Sequence, residues 1–311
     1  MSSPILQRLL RKIDPADVPG SLVDRLKTSE LTSLLLSVFA GKSRQQTAAQ
    51  LLKEYERNRF VAPSGIDPLA FREMELSVLR AAVASGFEAL ECSPVCPLGT
   101  CSTVATVHQD KVLSAIRGLE VVADVTNVLA LEISRRRRIA GREAPIHLCA
   151  SHRHLRTQSF DLPGFTPHFQ VISLVSGGRS SGERRFEEET LTSHLHFYRT
   201  LLCDRFGFSA DDLFVELQLF DPAWRQSDWP TRLARELGPI PIRRKEREQE
   251  ENEYYRGIRF KLYLRYRDLN LDIADGGLVD WSQQLLQDRK ERMLISGLGT
   301  EFLYKLRRGE V

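Results

Sequence analysis

Apolar positions early in the chain recur at helical spacing: Leu31, Leu34, Leu35, Val38 and Phe39 follow i, i+3, i+4 steps. A polar, helix-prone run over residues 45–57 carries Leu51, Leu52 and Tyr55, and Pro63-Ser64-Gly65 then breaks the pattern. Residues 1–62 are therefore expected to form a helical appendage packed on a main domain of residues 63–311, rather than a separate binding module. A second amphipathic stretch, Pro68–Ala84, offers Phe71, Met74, Leu79 and Val83 as its apolar face and stops at Gly86. Beyond it, β-like runs at 146–149, 168–175, 213–219 and 258–266 interleave with helical ones at 126–136, 186–206 and 280–289. The interleaving lacks a strict βαβ rhythm and a glycine-rich first turn. A doubly wound nucleotide fold is thus disfavoured, and the expected class is α+β, an antiparallel sheet flanked by helices.

Composition narrows the classes further. With 42% hydrophobic and 27% charged residues in 311, the balance is globular and excludes a disordered or fibrous chain. The net charge of +3 gives no support to wrapping nucleic acid by bulk charge. Five cysteines, an odd number in a long chain, argue against a secreted disulfide scaffold and for a reduced cytoplasm. The opening MSSPILQRLLRKIDP lacks the uninterrupted apolar core of a signal peptide, and no run approaches the ~20 apolar residues of a membrane helix. The mixed-sign run at 243–251 reads as a solvated loop or exposed helix. Four consecutive arginines, Arg135, Arg136, Arg137 and Arg138, end a predicted helix, where they complement its dipole; a phosphate or RNA contact is the alternative. Cys92, Cys96 and Cys101 form C-x3-C-x4-C, with Cys149, His147, His152 and His154 as distant further ligands. That spacing misses the usual zinc pairs and iron–sulfur runs, so buried thiols are expected rather than a metal.

The order of several segments is more informative. Gly86-Phe87-Glu88-Ala89-Leu90-Glu91-Cys92-Ser93-Pro94 comes first, then Ala123-Asp124-Val125-Thr126 opening a helix. A strand-loop-strand follows with Arg153-His154-Leu155-Arg156-Thr157-Gln158 and His168-Phe169-Gln170. Last come Tyr254-Tyr255-Arg256-Gly257-Ile258-Arg259-Phe260, Gly276-Gly277-Leu278-Val279-Asp280 and Ile295-Ser296-Gly297-Leu298-Gly299-Thr300-Glu301. From Pro68 onward this series resembles the catalytic core of class II aminoacyl-tRNA synthetases of the histidyl type. The first segment looks like motif 1, which in that family builds a dimer interface and so implies a homodimer through residues 86–94. Arg153 to Gln170 looks like motif 2, with Arg-His-Leu-Arg-Thr-Gln for the family's Arg-His-Glu-Arg-Pro-Gln. Tyr254-Tyr255-x-Gly257-x-x-Phe260 and Gly276-Gly277-x-x-Asp280 are similar to the two histidine-specific elements, and Gly297 and Gly299 to motif 3.

The resemblance implies a site. Asp124, Thr126 and Gln170 fall where the family holds the ammonium of an amino acid, and an acid, a hydroxyl and an amide suit that group. Asp124 or Thr126 can equally cap the helix that follows. Arg153 is placed to bind the phosphate or carboxylate of an adenylate through its guanidinium fork, or to make a surface ion pair. Tyr254, Tyr255, Gly276 and Gly277 complete the ligand-binding set. Against this, Leu155 replaces the motif 2 glutamate, Phe302 the motif 3 arginine and Leu278 the arginine after the glycine pair. Acidic residues at 250–253 stand where a catalytic arginine is expected. Adenylate formation depends on such cations, so their loss should cripple it.

The reading that follows is a catalytically degenerate, cytoplasmic synthetase paralog that binds an amino acid or similar ligand and regulates a protein partner. The family offers a precedent in the regulatory subunit of ATP phosphoribosyltransferase. The alternative is a ligase that forms an aminoacyl adenylate, with ATP and Mg, for an acceptor other than tRNA. It would need Arg156, Arg256 or Arg259 to replace the lost cations, and the sequence leaves open whether Arg259 faces the pocket or solvent. Since the sequence stops at Val311 after motif 3, no anticodon-binding domain is expected and tRNA charging is disfavoured. A plain RNA-binding module is disfavoured by the charge and the lack of interleaved aromatics.

Overall fold

The computed structural model describes residues 4–105, 107–141, 144–158, 166–180, 182–245 and 254–310. Its N-terminal helices are α1 (Pro4–Leu10), α2 (Val18–Gly20), α3 (Thr28–Arg44) and α4 (Ala48–Arg57). Leu9, Leu26 and Leu34 form a small core there. The expected polar helix starts only at Ala48, because Thr47 and Gln50 cap it reciprocally: each side chain accepts from the other's backbone N–H, at 3.3 and 2.9 Å. Arg59 ties this segment to the remainder by donating to the carbonyls of Thr157 (2.6 Å) and Gln158 (3.2 Å).

Helix α5 (Pro68–Ala84) begins with Asp67 accepting from the N–H groups of Leu69 and Ala70, and the chain leaves it through Gly86 at φ +90°. Its buried stripe is Phe71, Met74, Val78, Ala81 and Ala82. Val83, expected inside, is 53% exposed. The remaining elements are β1 (Glu88–Ala89), β2 (Val95–Pro97), β3 (Ser114–Ala115), β4 (Leu119–Val121), α6 (Val125–Ala140), β5 (Ile146–Leu155) and β6 (His168–Arg179). After these come α7 (Arg185–Arg199), β7 (Leu213–Leu219), α8 (Pro222–Arg225), α9 (Trp229–Leu237), β8 (Ile242–Arg244) and β9 (Ile258–Tyr266). The chain closes with β10 (Leu269–Val279), α10 (Trp281–Leu286), β11 (Glu291–Leu298) and α11 (Thr300–Arg307).

Eight strands form one sheet in the order β1-β5-β6-β11-β10-β9-β7-β8. The six inner strands pair antiparallel, and β1 and β8 add parallel at the two edges. This is the expected α+β class. Helices α5, α7 and α11 cover one face, packing Phe71, Leu195 and Leu303 against Ile172, Leu174 and Leu298. Helices α6 and α10 cover the other, with Leu129, Ile133 and Trp281 against Leu148, Val175 and Met293. A small second sheet, β2-β4-β3, sits beside α6. Among the described residues no helix is long and apolar enough to cross a membrane.

Several expectations change. The strand expected at 146–149 runs on to Leu155, so Arg153, His154 and Leu155 are strand residues and not loop. The helix expected over 186–206 is α-helical to Arg199 and widens into a π-helical turn over Thr200–Arg205. At 280–289 only Trp281–Leu286 is helical, since Gln287 turns to φ +50°. Arg243 and Arg244, read as the start of a solvated run, belong to the edge strand β8, with the Arg243 guanidinium 3.9 Å from the Phe214 ring centre; residues 246–253 lie outside the described residues.

The arginine run divides between surface and interior. Arg135 and Arg136 both pair with Glu132, Arg136 also with Glu88, and Arg137 is fully buried on Glu291. Only Arg138 and Arg135 stay exposed, so the run is mostly a structural clamp and not a phosphate-binding stripe.

Candidate functional site

A cavity of about 580 Å³ opens on the α6 face of the sheet. Its size suits a small ligand. One wall is the start of α6. Asp124 is the N-cap: its Oδ1 accepts from the Thr126 N–H (3.0 Å) and from the Thr126 hydroxyl (2.7 Å). Its Oδ2 is turned into the cavity, 3.5 Å from the Tyr254 hydroxyl and 3.7 Å from Arg156 Nη2. One oxygen of the carboxylate thus caps the helix and the other faces the cavity. Arg156 is aimed by its Nε, which donates to the Ala123 carbonyl (3.1 Å), and by the Phe169 ring beneath it.

The floor comes from β9, β10 and β11. Arg259 faces the cavity and donates from Nη2 to Asp275 Oδ2 (2.7 Å), and the Tyr255 hydroxyl lies 3.3 Å from the same oxygen. Burial first, and then the neighbouring carboxylates Asp124 and Asp275, hold the Tyr254 phenol well above the ordinary tyrosine range. Tyr255 is raised for the same reasons, burial first and then Asp275 and Tyr254. Both phenols thus stay protonated and able to donate.

Gly276 and Gly277 do not line the cavity; they let its floor close. A Cβ on Gly277 would stand 2.6 Å from the Ile258 carbonyl oxygen and 2.7 Å from Tyr255 Cδ1, and one on Gly276 2.5 Å from the Ile295 carbonyl oxygen. Gly277→Ala is expected to cost about 1–3 kcal/mol by overpacking and to push Tyr255 off its seat. Urea unfolding with the near-ultraviolet tyrosine signal measures both, and an unchanged midpoint and signal would contradict the expectation.

The pleat separates the remaining expected residues. Successive side chains of a strand point to opposite faces, and directly paired residues share a face. On β5 and β6, His152, His154, Phe169, Val171 and Ser173 occupy the cavity face, while Arg153 and Gln170, which pair with each other, point to the α5–α11 face. Gln170 borders the cavity, yet its amide donates to Ser151 Oγ (3.3 Å), which donates to Glu75 (2.7 Å). Arg153 lies 3.0 Å from Glu301 Oε2 and 2.9 Å from His168 Nδ1. Asp124, Thr126 and Gln170 all border the cavity, with Tyr254 and Tyr255 beside them, and Gln170 is also engaged with Ser151 on the far side of the pleat. Sequence reasoning missed Asp272, Asp275, Phe169 and His154 in the lining. His154 accepts the Val125 N–H at Nε2 (3.0 Å), which requires a neutral ring protonated at Nδ1. Burial, then the charges of Arg156 and His152, press its pKa well below the usual histidine value.

Cys96 lies in β2, Cys101 in the turn that follows it, and Cys92 ahead of that strand. Cys101 borders the cavity and accepts from Asn127 Nδ2 (3.2 Å); burial pushes its thiol up to about 12, and those of Cys92 and Cys96 to about 11. Among the described residues no group of three or more His, Cys, Asp or Glu could hold a metal ion. The described residues also do not fit a nucleoside triphosphate. Three cations, Lys111, Arg156 and Arg259, line the cavity, and of its four carboxylates Glu301 is paired with Arg153 and Lys305 and Asp272 with Lys261, which leaves Asp124 and Asp275 facing Arg156 and Arg259. Two of the cations stand beside Asp124 and Asp275, Arg153 is turned to the other face, and Phe302 carries no charge. Arg256, the third candidate substitute, pairs with Asp280 (3.0 Å) and does not line the cavity.

No family model and no curated protein matches this sequence. Solved structures do match. The apo histidyl-tRNA synthetase of S. aureus superposes with a TM-score of 0.58 at 14% identity, over 80% of this chain and 70% of that one. A protein from Bacillus halodurans C described as an ATP phosphoribosyltransferase regulatory subunit/histidyl-tRNA synthetase gives 0.55 at 12% identity, over 76% and 78%. With the sheet order and the helices on both faces, these likenesses show that the chain has the fold of a class II synthetase catalytic core.

Proposed function

We propose that this chain binds a free amino acid without activating it, and that the bound state is read by a protein partner. The observation that carries the reading is the Asp124–Arg156 pair. An ammonium needs up to three acceptors, and Asp124 Oδ2, Thr126 Oγ1 and the Tyr254 hydroxyl supply them at one end of the cavity. Arg156 stands beside them as the partner of an α-carboxylate. Arg156 and Arg259 each stand beside a carboxylate and Phe302 carries no charge, which speaks against a triphosphate, hence against activation. The regulatory-subunit description of the Bacillus halodurans neighbour supports a role exerted on another protein. Residues 1–62 are an appendage in this reading. The short exposed edge strand Glu88–Ala89, in the motif 1 region, is where a second copy of the chain would join.

Thermal shift with each of the twenty amino acids, with and without ATP and Mg, tests the reading. One amino acid is expected to raise the melting temperature without nucleotide. Asp124→Asn and Asp124→Ser keep a good helix cap and should leave basal stability nearly unchanged while weakening that binding at least about tenfold. Binding by no amino acid would refute the proposal. ATP–pyrophosphate exchange would replace it with the amino-acid-activating ligase.

A further inference from the structure

The cavity holds a second acid–base pair, and this pair bears on the ligand's side chain. Arg259 of β9 faces Gly277 and Asp275 of β10 faces Lys261, so the two are diagonal neighbours on the cavity face of the sheet. Both are mostly sheltered, Arg259 with 22% of its side chain exposed and Asp275 with 39%. The guanidinium lies 5.1 Å from the centre of the Tyr255 ring, which fixes its plane. Its Nη2 and the Tyr255 hydroxyl share Asp275 Oδ2, at 2.7 and 3.3 Å. Arg259 Nε is buried with no hydrogen-bond partner among the described residues, and Asp275 accepts from Arg259 and Tyr255 through Oδ2. A guanidinium with unmet donor capacity and a part-exposed carboxylate therefore stand side by side in the cavity lining.

Charge sorts the groups that could meet them. An ammonium is drawn to Asp275 and repelled by Arg259. A carboxylate is drawn to Arg259 and repelled by Asp275, with Asp272 also in the lining. A carboxamide is neutral and presents its C=O and N–H2 on one edge, so it accepts from the guanidinium and donates to the carboxylate together. A neutral imidazole has a donor and an acceptor too, but they point away from each other across the ring and cannot both address groups that lie 2.7 Å apart.

Resting on the reading of Asp124 and Arg156 given above, we infer that the ligand is an α-amino acid whose side chain ends in a carboxamide, read by Arg259 and Asp275. Isothermal titration of the full chain with glutamine, asparagine, glutamate, aspartate, lysine and histidine tests the assignment. One of the two amides should bind at least about tenfold more tightly than its acid counterpart, a comparison that needs no variant. Asp275→Asn, which exchanges the acceptor oxygen for an amide, should abolish that preference. If an amino acid binds in an Asp124-dependent manner but amide and acid bind equally, or lysine or histidine binds most tightly, the side-chain assignment falls and the site remains. If none of the twenty amino acids binds, both fall.

Discussion

Glu291→Ala is expected to destabilise the protein by about 3–5 kcal/mol, the cost of leaving one charge of a buried pair alone. Arg137 and Glu291 have no exposed side-chain surface. Arg137 Nε donates to Glu291 Oε2 (2.7 Å) and its Nη2 to Oε1 (3.3 Å), while Nη1 donates to the Ala144 carbonyl (2.8 Å). Arg179 approaches the same carboxylate to 3.8 Å. Removing the acid strands a guanidinium in a low-dielectric interior. Removing both partners does not, so Arg137→Met with Glu291→Leu should recover most of the loss. The pair matters for the site because it joins the last turns of α6 to the first residue of β11, and Asp124 caps the other end of that helix. Urea unfolding of the two single variants and the double variant measures the cycle. A loss under about 1 kcal/mol in Glu291→Ala, the range of a solvated surface pair, would show that the pair is not dry.

Glu120→Gln is expected to cost about 3 kcal/mol and to remove part of the protein's acid sensitivity. The Glu120 side chain is fully buried and accepts from the N–H groups of Gly99 and Cys101 and from Gln109 Nε2, each at 2.9 Å. Burial works to raise its pKa, but the bonds from Gln109, Cys101 and Gly99 outweigh it and hold the carboxyl below its ordinary value of 4.5. A group whose folded-state pKa is depressed stabilises the fold fully above its unfolded value and loses that contribution as the pH falls through the folded one. The wild type should therefore lose more stability than Glu120→Gln when acidified from about pH 5 to 3. Unfolding midpoints at a series of pH values measure the difference, and parallel curves would exclude Glu120 as a source. Because Cys101 also borders the cavity, the variant should weaken ligand binding through a loosened wall.

The class of the fold was legible in the sequence where hydrophobic period and capping chemistry agree. Asp67-Pro68 and Gly86 bracket α5, and the alternation from Ile258 marks β9. Strands β10 and β11 were not legible as strands: Gly276, Gly277 and Gly297 weaken the β signal, and those glycines are there because neighbouring backbone and side chains leave little or no room for a Cβ. The resemblance to the class II motifs picked out residues that line the cavity, since motif order survives where pattern is faint. It could not assign faces. A strand register displaced by one residue inverts every side chain, and Arg153 and Gln170, adjacent to His154 and Phe169, project to the opposite side of the pleat, where Arg153 meets the cavity-lining Glu301 and Gln170 the Ser151 hydroxyl.

What the sequence by itself determined is the α+β architecture, the helix that Asp124 opens and the neighbourhood of Tyr254 and Tyr255. Those depend on local periodicity, caps and the order of short motifs. The tertiary structure alone decided that Arg156 and Arg259 are the guanidiniums beside the cavity acids, that Arg153 is spent on Glu301, and that Arg137 is interior. Each of those outcomes depends on which face a residue takes and which distant charge meets it there. Pairings such as Arg137 with Glu291, 154 positions apart, are set by how α6 lies across the sheet and have no trace in local pattern.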